Sequence, residues 1–167
     1  MEKITVKIGK YRYKDHFKYK NELMDLFKKE PSFINDIYKV DFNNSTDFER
    51  PWIKMIRKSF GNSFKPWLKQ MKFGKLHIKN LWFQQYNKGN KHDWHIHGCS
   101  FSGVYYVNYN NKCIGTELID PYSNKIIKPK VSEGDVIIFP AFVIHRAPAE
   151  KTNDLKTIIS FNFDCEL

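Results

Sequence analysis

The sequence predicts a mainly β, α+β domain in which supporting helices come first and an antiparallel β-roll follows. Three observations carry this. Residues 1–74 hold a short alternating run and then apolar residues at helical spacing, broken by Pro and Gly. Residues 75–163 hold short alternating or apolar runs separated by Gly, Asn, Asp or Pro, with no helical period among them. The whole chain, 167 residues, is the size of one domain, and no linker divides the two parts.

Taken in order, KITVKI at 3–8 alternates and predicts a first strand. Residues 15–29 predict a helix: Phe17, Leu23, Met24, Leu26 and Phe27 share a face, Lys28 and Lys29 suit its C-terminal end, and Pro31 breaks it. Phe33, Ile34, Ile37 and Tyr38 suggest a short second helix or turn. Ser45 and Thr46 offer N-caps for a helix through WIKMIRKSF with Pro51 early in it. Gly61-Asn62 ends that helix, and Ser63 would cap another through WLKQM. These helices are expected to brace one face of a sheet. After Gly74, KLHIKNLWFQQYN reads as a long strand, followed by strands in DWHIHG, FSGVYYVNYN, TELIDP, KIIKPKV, GDVIIFP and LKTIISFNF. Strands at this spacing form an antiparallel sandwich or barrel.

Composition narrows the class. Aromatics make up 16% of the chain, so the core is expected to be rich in Phe, Tyr and Trp. No apolar run approaches membrane-spanning length, and the start lacks the apolar region of a secretory signal. Cys99, Cys113 and Cys165 lie far apart, which argues against a disulfide framework or a zinc ribbon and for a reducing, cytoplasmic setting. Lys plus Arg number 28 against 18 Asp plus Glu, a formal charge of +10 concentrated before residue 92. Such a surface keeps an aromatic-rich protein soluble, and only weakly supports a nucleic-acid partner, because binding needs the charge to cluster in space.

The chemistry lies in the histidines. His95 and His97 form an H-x-H pair, and on a strand positions i and i+2 share a face, so both imidazoles can grip one metal. His145 follows 48 residues after His97, just past GDVIIFP, as a distant third donor. Three ligands leave open positions for dioxygen and a bidentate cosubstrate, but neutral imidazole suits Fe, Zn, Cu and Ni alike. Asp93 shares the parity of the pair and is an alternative ligand or a partner orienting an imidazole; Asp120 is a weaker candidate. Cys99 is near enough to be a soft ligand, though it reads better as a small core residue. His16 lies at a polar helix start, His77 faces out of its strand, and His92 is one residue off the parity of the pair, so a regular strand aims it away.

DWHIHGCSFSGVYYVN, GTELIDP, KVSEGDVIIFPAFVIHRAP and LKTIISFNF together resemble the 2-oxoglutarate and Fe(II)-dependent oxygenase superfamily, in particular a bacterial and phage branch with the pattern H-x-H, SGVYY, GDxxxFP and H. The resemblance covers about residues 80 to 163. It implies a double-stranded β-helix (jelly roll) over 75–163, with residues 1–74 as support, and Fe(II) held by His95, His97 and His145. Dioxygen and 2-oxoglutarate would be the partners, and the setting would be cytoplasmic, including that of a phage-encoded protein acting in its host. Tyr86, Tyr106 and Gln84 become candidates to bind the cosubstrate carboxylates. Lys156, eleven residues after His145, stands where the superfamily commonly places an arginine for the far carboxylate; a lysine balances it as a point charge without the bidentate fork. Arg146, beside the ligand histidine, would point elsewhere. The chain departs from the superfamily pattern in that lysine and in His97, where a carboxylate is usual.

The implied function is an oxygenase acting on a protein side chain, a nucleobase or a small molecule. The alternative is a cupin-like three-histidine metal protein, a dioxygenase or ligand-binding module that does not use 2-oxoglutarate. Lys156 discriminates: turned inward toward the metal it favours oxoglutarate, turned to solvent it favours the cupin. A third reading is a nucleic-acid-binding protein with a structural metal.

Overall fold

A computed structural model describes residues 6–31 and 37–167. The chain runs β1 (Gly9–Arg12), α1 (His16–Lys29), β2 (Lys39–Val40), a 3-10 turn (Phe42–Asn44), α2 (Pro51–Ser63), α3 (Lys65–Met71), β3 (Lys75–Tyr86), β4 (His92–His95), β5 (Phe101–Asn108), β6 (Glu117–Ile119), β7 (Ile126–Ile127), β8 (Asp135–Pro140), β9 (His145–Ala147) and β10 (Lys156–Glu166). Two antiparallel sheets result, ordered β1-β8-β5-β10-β3-β2 and β4-β9-β6-β7. This is the jelly roll expected of the second half of the chain. Among the described residues no helix is long and apolar enough to cross a membrane.

The large sheet is buried on both faces, and strand alternation divides its side chains between two cores. Phe83, Tyr105, Val136, Ile138, Ile159, Phe161 and Phe163 face outward and pack against Phe27, Trp52, Ile56, Phe60 and Phe64 of the helical half. Tyr86, Val104, Tyr106, Ile137, Phe139 and Ile158 face inward and pack against Leu118, Val143 and Ala147 on the small-sheet side. The outer core is a web of aromatic rings in edge-on contact, such as Phe60 on Phe161 at 5.5 Å and Phe27 on Trp52 at 5.4 Å, the geometry their quadrupoles favour.

The helices form for the reasons their sequences suggest. In α1, Leu23 and Phe27 are one turn apart and buried, and Lys28 and Lys29 sit in the last turn. In α2, Pro51 occupies the first turn and Trp52, Ile53, Ile56 and Phe60 form the buried stripe. A buried ion pair ties this half to the sheet. The Asp41 carboxylate accepts from Arg50, from Trp52 Nε1 (3.1 Å) and from the Phe83 amide (2.8 Å), while Arg50 also donates to the Leu81 carbonyl. Among the described residues no buried side-chain nitrogen or oxygen lacks a partner, which is what makes such a pair tolerable in a core.

Boundaries differ from the expectations in physically simple ways. The first strand is Gly9–Arg12, pairing with β8; the expected run at 3–8 falls partly outside the described residues, and 6–8 are not strand. Residues 33 and 34 of the expected second helix also lie outside them. Ser45 and Thr46 do not cap α2: Ser45 ends the 3-10 turn and hydrogen-bonds Asn80, and Arg50 precedes the helix. Gly61-Asn62 does not stop α2, because Phe64 keeps a right-handed helical conformation and leads straight into α3. The turn at α3's end falls instead on Lys72, in the left-handed conformation.

Gly103 marks the tightest point of the outer core. A Cβ there would stand 2.1 Å from the Phe161 ring, which is wedged between Phe60, Phe64 and Phe163. Gly103→Ala is expected to destabilise the fold by roughly 1–3 kcal/mol through overpacking, read as a lower midpoint in urea denaturation with an unchanged slope.

Candidate metal centre

The small sheet assembles the histidines. Strand β4 pairs with β9 so that His95 lies directly opposite His145. His97 follows β4 and is fastened by its amide to the Ala141 carbonyl (3.0 Å). The three expected ligands therefore come together: His95, His97 and His145 offer ring nitrogens all within 4.8 Å of one another. Their rings sit 4.2 Å (His95–His145), 5.1 Å (His97–His145) and 5.0 Å (His95–His97) apart.

Two of the rings are oriented by backbone carbonyls. His95 Nδ1 donates to Asp93 O at 2.7 Å and His145 Nδ1 to Val143 O at 2.9 Å. A proton fixed on Nδ1 leaves Nε2 as the free donor, the usual way an outer partner sets a ligand's tautomer. Burial holds the cluster neutral. It pushes His145 down to about 3, helped by His95, and His97 down to about 4, again helped by His95. His95 is also lowered by burial, partly offset by its bond to Asp93. Neutral imidazoles are what a divalent metal needs, since a protonated ring cannot ligate. The donor set thus fits a first-row divalent ion.

The remaining expected residues are placed as follows. The Asp93 carboxylate is exposed and binds Lys91; the residue touches the cluster through its backbone carbonyl alone. Asp120 caps the β6–β7 turn, accepting from the Tyr122 amide and Ser123. Cys99 donates to the Phe101 carbonyl. Arg146 pairs with Glu117 and stacks over Trp94 at 4.3 Å, away from His145 as alternation requires. His77 faces out to Glu166. His16 is buried, hydrogen-bonded to the Tyr105 hydroxyl at 2.7 Å.

Gln84, Tyr86 and the histidines line one cavity between the sheets. Gln84 is engaged at both ends: Ser160 donates to its Oε1 (2.9 Å), and its Nε2 meets His92 Nδ1 at 3.3 Å. Tyr106 donates to Thr116, which lines the same cavity. Lys156 turns inward, 2% exposed, with its ammonium 4.5 Å from the centre of the Tyr86 ring. It donates to the Ile114 carbonyl at 2.9 Å and is ion-paired with Glu150, itself fully buried.

Two residues here were not found by sequence reasoning. His92 is not aimed away: its ring stacks on His95 at 4.1 Å and lines the cavity. The β4–β9 register slips between His92 and His95, and a bulge of this kind brings two positions of opposite parity to one side. Glu150 carried no signal in a loop sequence, AEKTND, of ordinary polarity. Beside the histidines opens a second cleft walled by Ile37, Val40, Phe42 and Trp82, with Gln84, His92, His95 and His97 at its inner end.

No family model matches the chain, and no curated protein matches it. Solved structures do. A 2OG-Fe(II) oxygenase family oxidoreductase from Burkholderia pseudomallei aligns at TM-score 0.71 and 14% identity, covering 93% of this chain and 83% of that one. A viral collagen prolyl hydroxylase from Paramecium Bursaria Chlorella virus-1, in its 2OG complex, aligns at TM-score 0.65 and 13% identity over 96% of both chains. A prolyl hydroxylase from Trichoplax adhaerens, in complex with a hypoxia inducible factor peptide fragment, aligns at 0.65 and 13%, over 93% and 82%. At these identities the likeness is one of fold: the chain has the jelly roll of the 2OG-Fe(II) oxygenases.

The depressed histidines set an acid limit on the metal-free protein. Their folded pKa values lie below the ordinary 6.5, so the unfolded chain takes up protons first as pH falls. Stability is full above about pH 6.5 and is lost as pH drops toward 4. His145 alone is expected to cost about 2–3 kcal/mol between pH 6.5 and 4.5. Denaturation midpoints followed across that range should fall, and His145→Asn should flatten the decline.

Proposed function

We propose that this protein is an Fe(II)- and 2-oxoglutarate-dependent oxygenase. The observation that carries the reading is the convergence of three neutral imidazoles between the facing sheets, with an inward lysine at the start of β10 behind them. His95, His97 and His145 would hold the iron, and Lys156 would face the far carboxylate of the cosubstrate. Bound iron, 2-oxoglutarate and dioxygen supply oxidation of a substrate C–H bond coupled to oxidative decarboxylation of the cosubstrate.

The chain's own groups do the positioning. The Asp93 and Val143 carbonyls hold two ligand rings in one tautomer. Tyr86 and Thr116, the latter held from behind by the Tyr106 hydroxyl, form the wall on the cosubstrate side, and Ser160 orients Gln84, which in turn holds His92. Phe139, Val104 and Ile158 keep that wall dry. The cleft of Ile37, Val40, Phe42 and Trp82 leads to the open side of the histidines and suits a substrate that presents an uncharged group to the metal. A protein side chain is one such group, consistent with the prolyl hydroxylases that share the fold.

One observation favours the second reading, a three-histidine metal protein without 2-oxoglutarate: Lys156 already carries a carboxylate partner. Spectroscopy separates the two. Under anaerobic conditions, Fe(II) and 2-oxoglutarate together are expected to give a weak visible charge-transfer band that neither gives alone. His95→Ala or His145→Ala should abolish it and weaken metal binding by more than the roughly 10–100-fold typical of outer-shell changes. Iron bound without any band would favour the second reading.

A further inference from the structure

The inward face of β10 carries a charge that is already spoken for. Lys156 shares the inward parity of Ile158 and Ser160, and its Cα pairs with Tyr86 of β3. Its ammonium lies over the Tyr86 ring, and Tyr86 lines the histidine cavity. Its partner Glu150 belongs to the segment 148–155 that joins β9 to β10, five residues past His145. Glu150 is held on every side. Its amide donates to the Asn90 carbonyl (3.0 Å), its own carbonyl accepts from the Gly89 amide (2.8 Å), and its two carboxylate oxygens accept from the Ile114 amide (3.1 and 3.2 Å). Neither side chain reaches solvent.

Such a pair is electrically closed. A lysine buried alone would attract any anion that reached it, because an uncompensated charge in a dry site is costly. Here the compensation is internal, and Glu150 is built in by backbone contacts that do not depend on the lysine. An arriving carboxylate meets a neutral pair in which one member repels it, in surroundings where charge is poorly screened. Of the ammonium's three protons, the Ile114 carbonyl and Glu150 engage two.

We propose that Glu150 is a specificity-determining residue that competes with the far carboxylate of a 2-oxo acid for Lys156, so that this site discriminates weakly between a dicarboxylate and a monocarboxylate of the same length. The inference rests on the oxoglutarate reading above. It gives Glu150 no contact with the metal, whose binding is left unchanged. It also makes the identity of the preferred 2-oxo acid depend on the Glu150–Lys156 pair rather than on the histidines.

The test compares two ligands that share the chelating end, 2-oxoglutarate and 2-oxopentanoate, which lacks the far carboxylate. Dissociation constants are taken anaerobically from the charge-transfer band and by calorimetry, on parent and on Glu150→Gln, which keeps the side-chain shape and removes the charge. In the parent, 2-oxoglutarate is expected to bind less than about tenfold tighter than 2-oxopentanoate. In Glu150→Gln it should bind about ten- to a hundredfold tighter than in the parent, the worth of a charge-assisted hydrogen bond, with 2-oxopentanoate and iron affinity unmoved. The parent measurement stands even if the variant does not fold. A parent that already prefers 2-oxoglutarate a hundredfold, or a Glu150→Gln that binds it no better, overturns the proposal. If neither acid binds to iron-loaded protein, the oxoglutarate reading itself falls, a result distinct from equal binding of both.

Discussion

The pairing of β4 with β9 is the constraint on which the rest depends. It sets His95 opposite His145 across a two-strand ladder, and so turns residues 50 positions apart in sequence into neighbours at 4.2 Å. The small sheet can hold that register only because the inner core anchors it: Leu118, Val143 and Ala147 pack against the inward residues of the large sheet. The large sheet, in turn, keeps its inward face toward the histidines because its outward face is committed to the helices. A one-residue slip in β10 or β5 would exchange the two sets of side chains, carrying Ser160 out of the cavity and Lys156 away from Tyr86.

Two buried ion pairs serve this arrangement differently. Asp41–Arg50 ties the helical half to β3, with Trp52, Phe83 and Leu81 absorbing the spare hydrogen bonds. Burial raises Asp41's affinity for a proton, and Arg50 and the Phe83 amide work against that. It sits on the outer side of the sheet, where only packing is at stake. Lys156–Glu150 sits on the inner side, next to the cavity. Burial likewise lowers Lys156's hold on its proton, and Glu150 offsets only part of that. A buried pair seldom stabilises more than well-packed apolar groups would. Stability is therefore a weak reason for a lysine at this position, and the nearness of the cavity is a stronger one.

Much of this was legible in the sequence. Alternation located β3, whose first half is exposed at every second residue, and short apolar runs bounded by Gly, Asn, Asp or Pro located β5, β8 and β10, which are buried on both faces over most of their length. The H-x-H spacing and the distant His145 named the three histidines that converge, although His97 lies just past the end of β4 and is placed by its amide bond to Ala141 rather than by strand parity. What failed was whatever depended on local irregularity. His92 was set aside on parity, and a bulge reversed that parity. Gly61 looked like a helix stop, yet Phe64 buried against Phe60 at 5.2 Å keeps the chain helical into α3. Ser45 looked like a cap, but tertiary contact with Asn80 claimed its hydroxyl. Glu150 was invisible because its role is defined by a partner on another strand, and no spacing rule links a loop glutamate to Lys156.

The excess of basic charge is not gathered along the cleft that opens beside the histidines. A surface meant to deliver an anionic substrate would place cations along the approach to the metal, where they focus the field. Among the described residues, the cleft leading to His95 and His97 is lined instead by Ile37, Val40, Phe42, Asn43, Trp82, Gln84 and His92, none of which carries a full charge when the cluster is neutral. Several basic residues of the N-terminal half are held by acids elsewhere: Lys20 by Glu133, Lys28 by Asp25, Lys54 and Arg57 by Glu49. The +10 charge therefore reads as a property of the solvated faces. Under the proposed function, selection at the histidines would rest on shape, on the aromatic wall of Trp82 and Phe42, which meet edge-on at 5.1 Å, and on the hydrogen-bonding ends of Gln84 and His92. A nucleic-acid strand tracking a basic groove would not be guided to this opening, whereas an uncharged group displayed on a larger molecule would fit it.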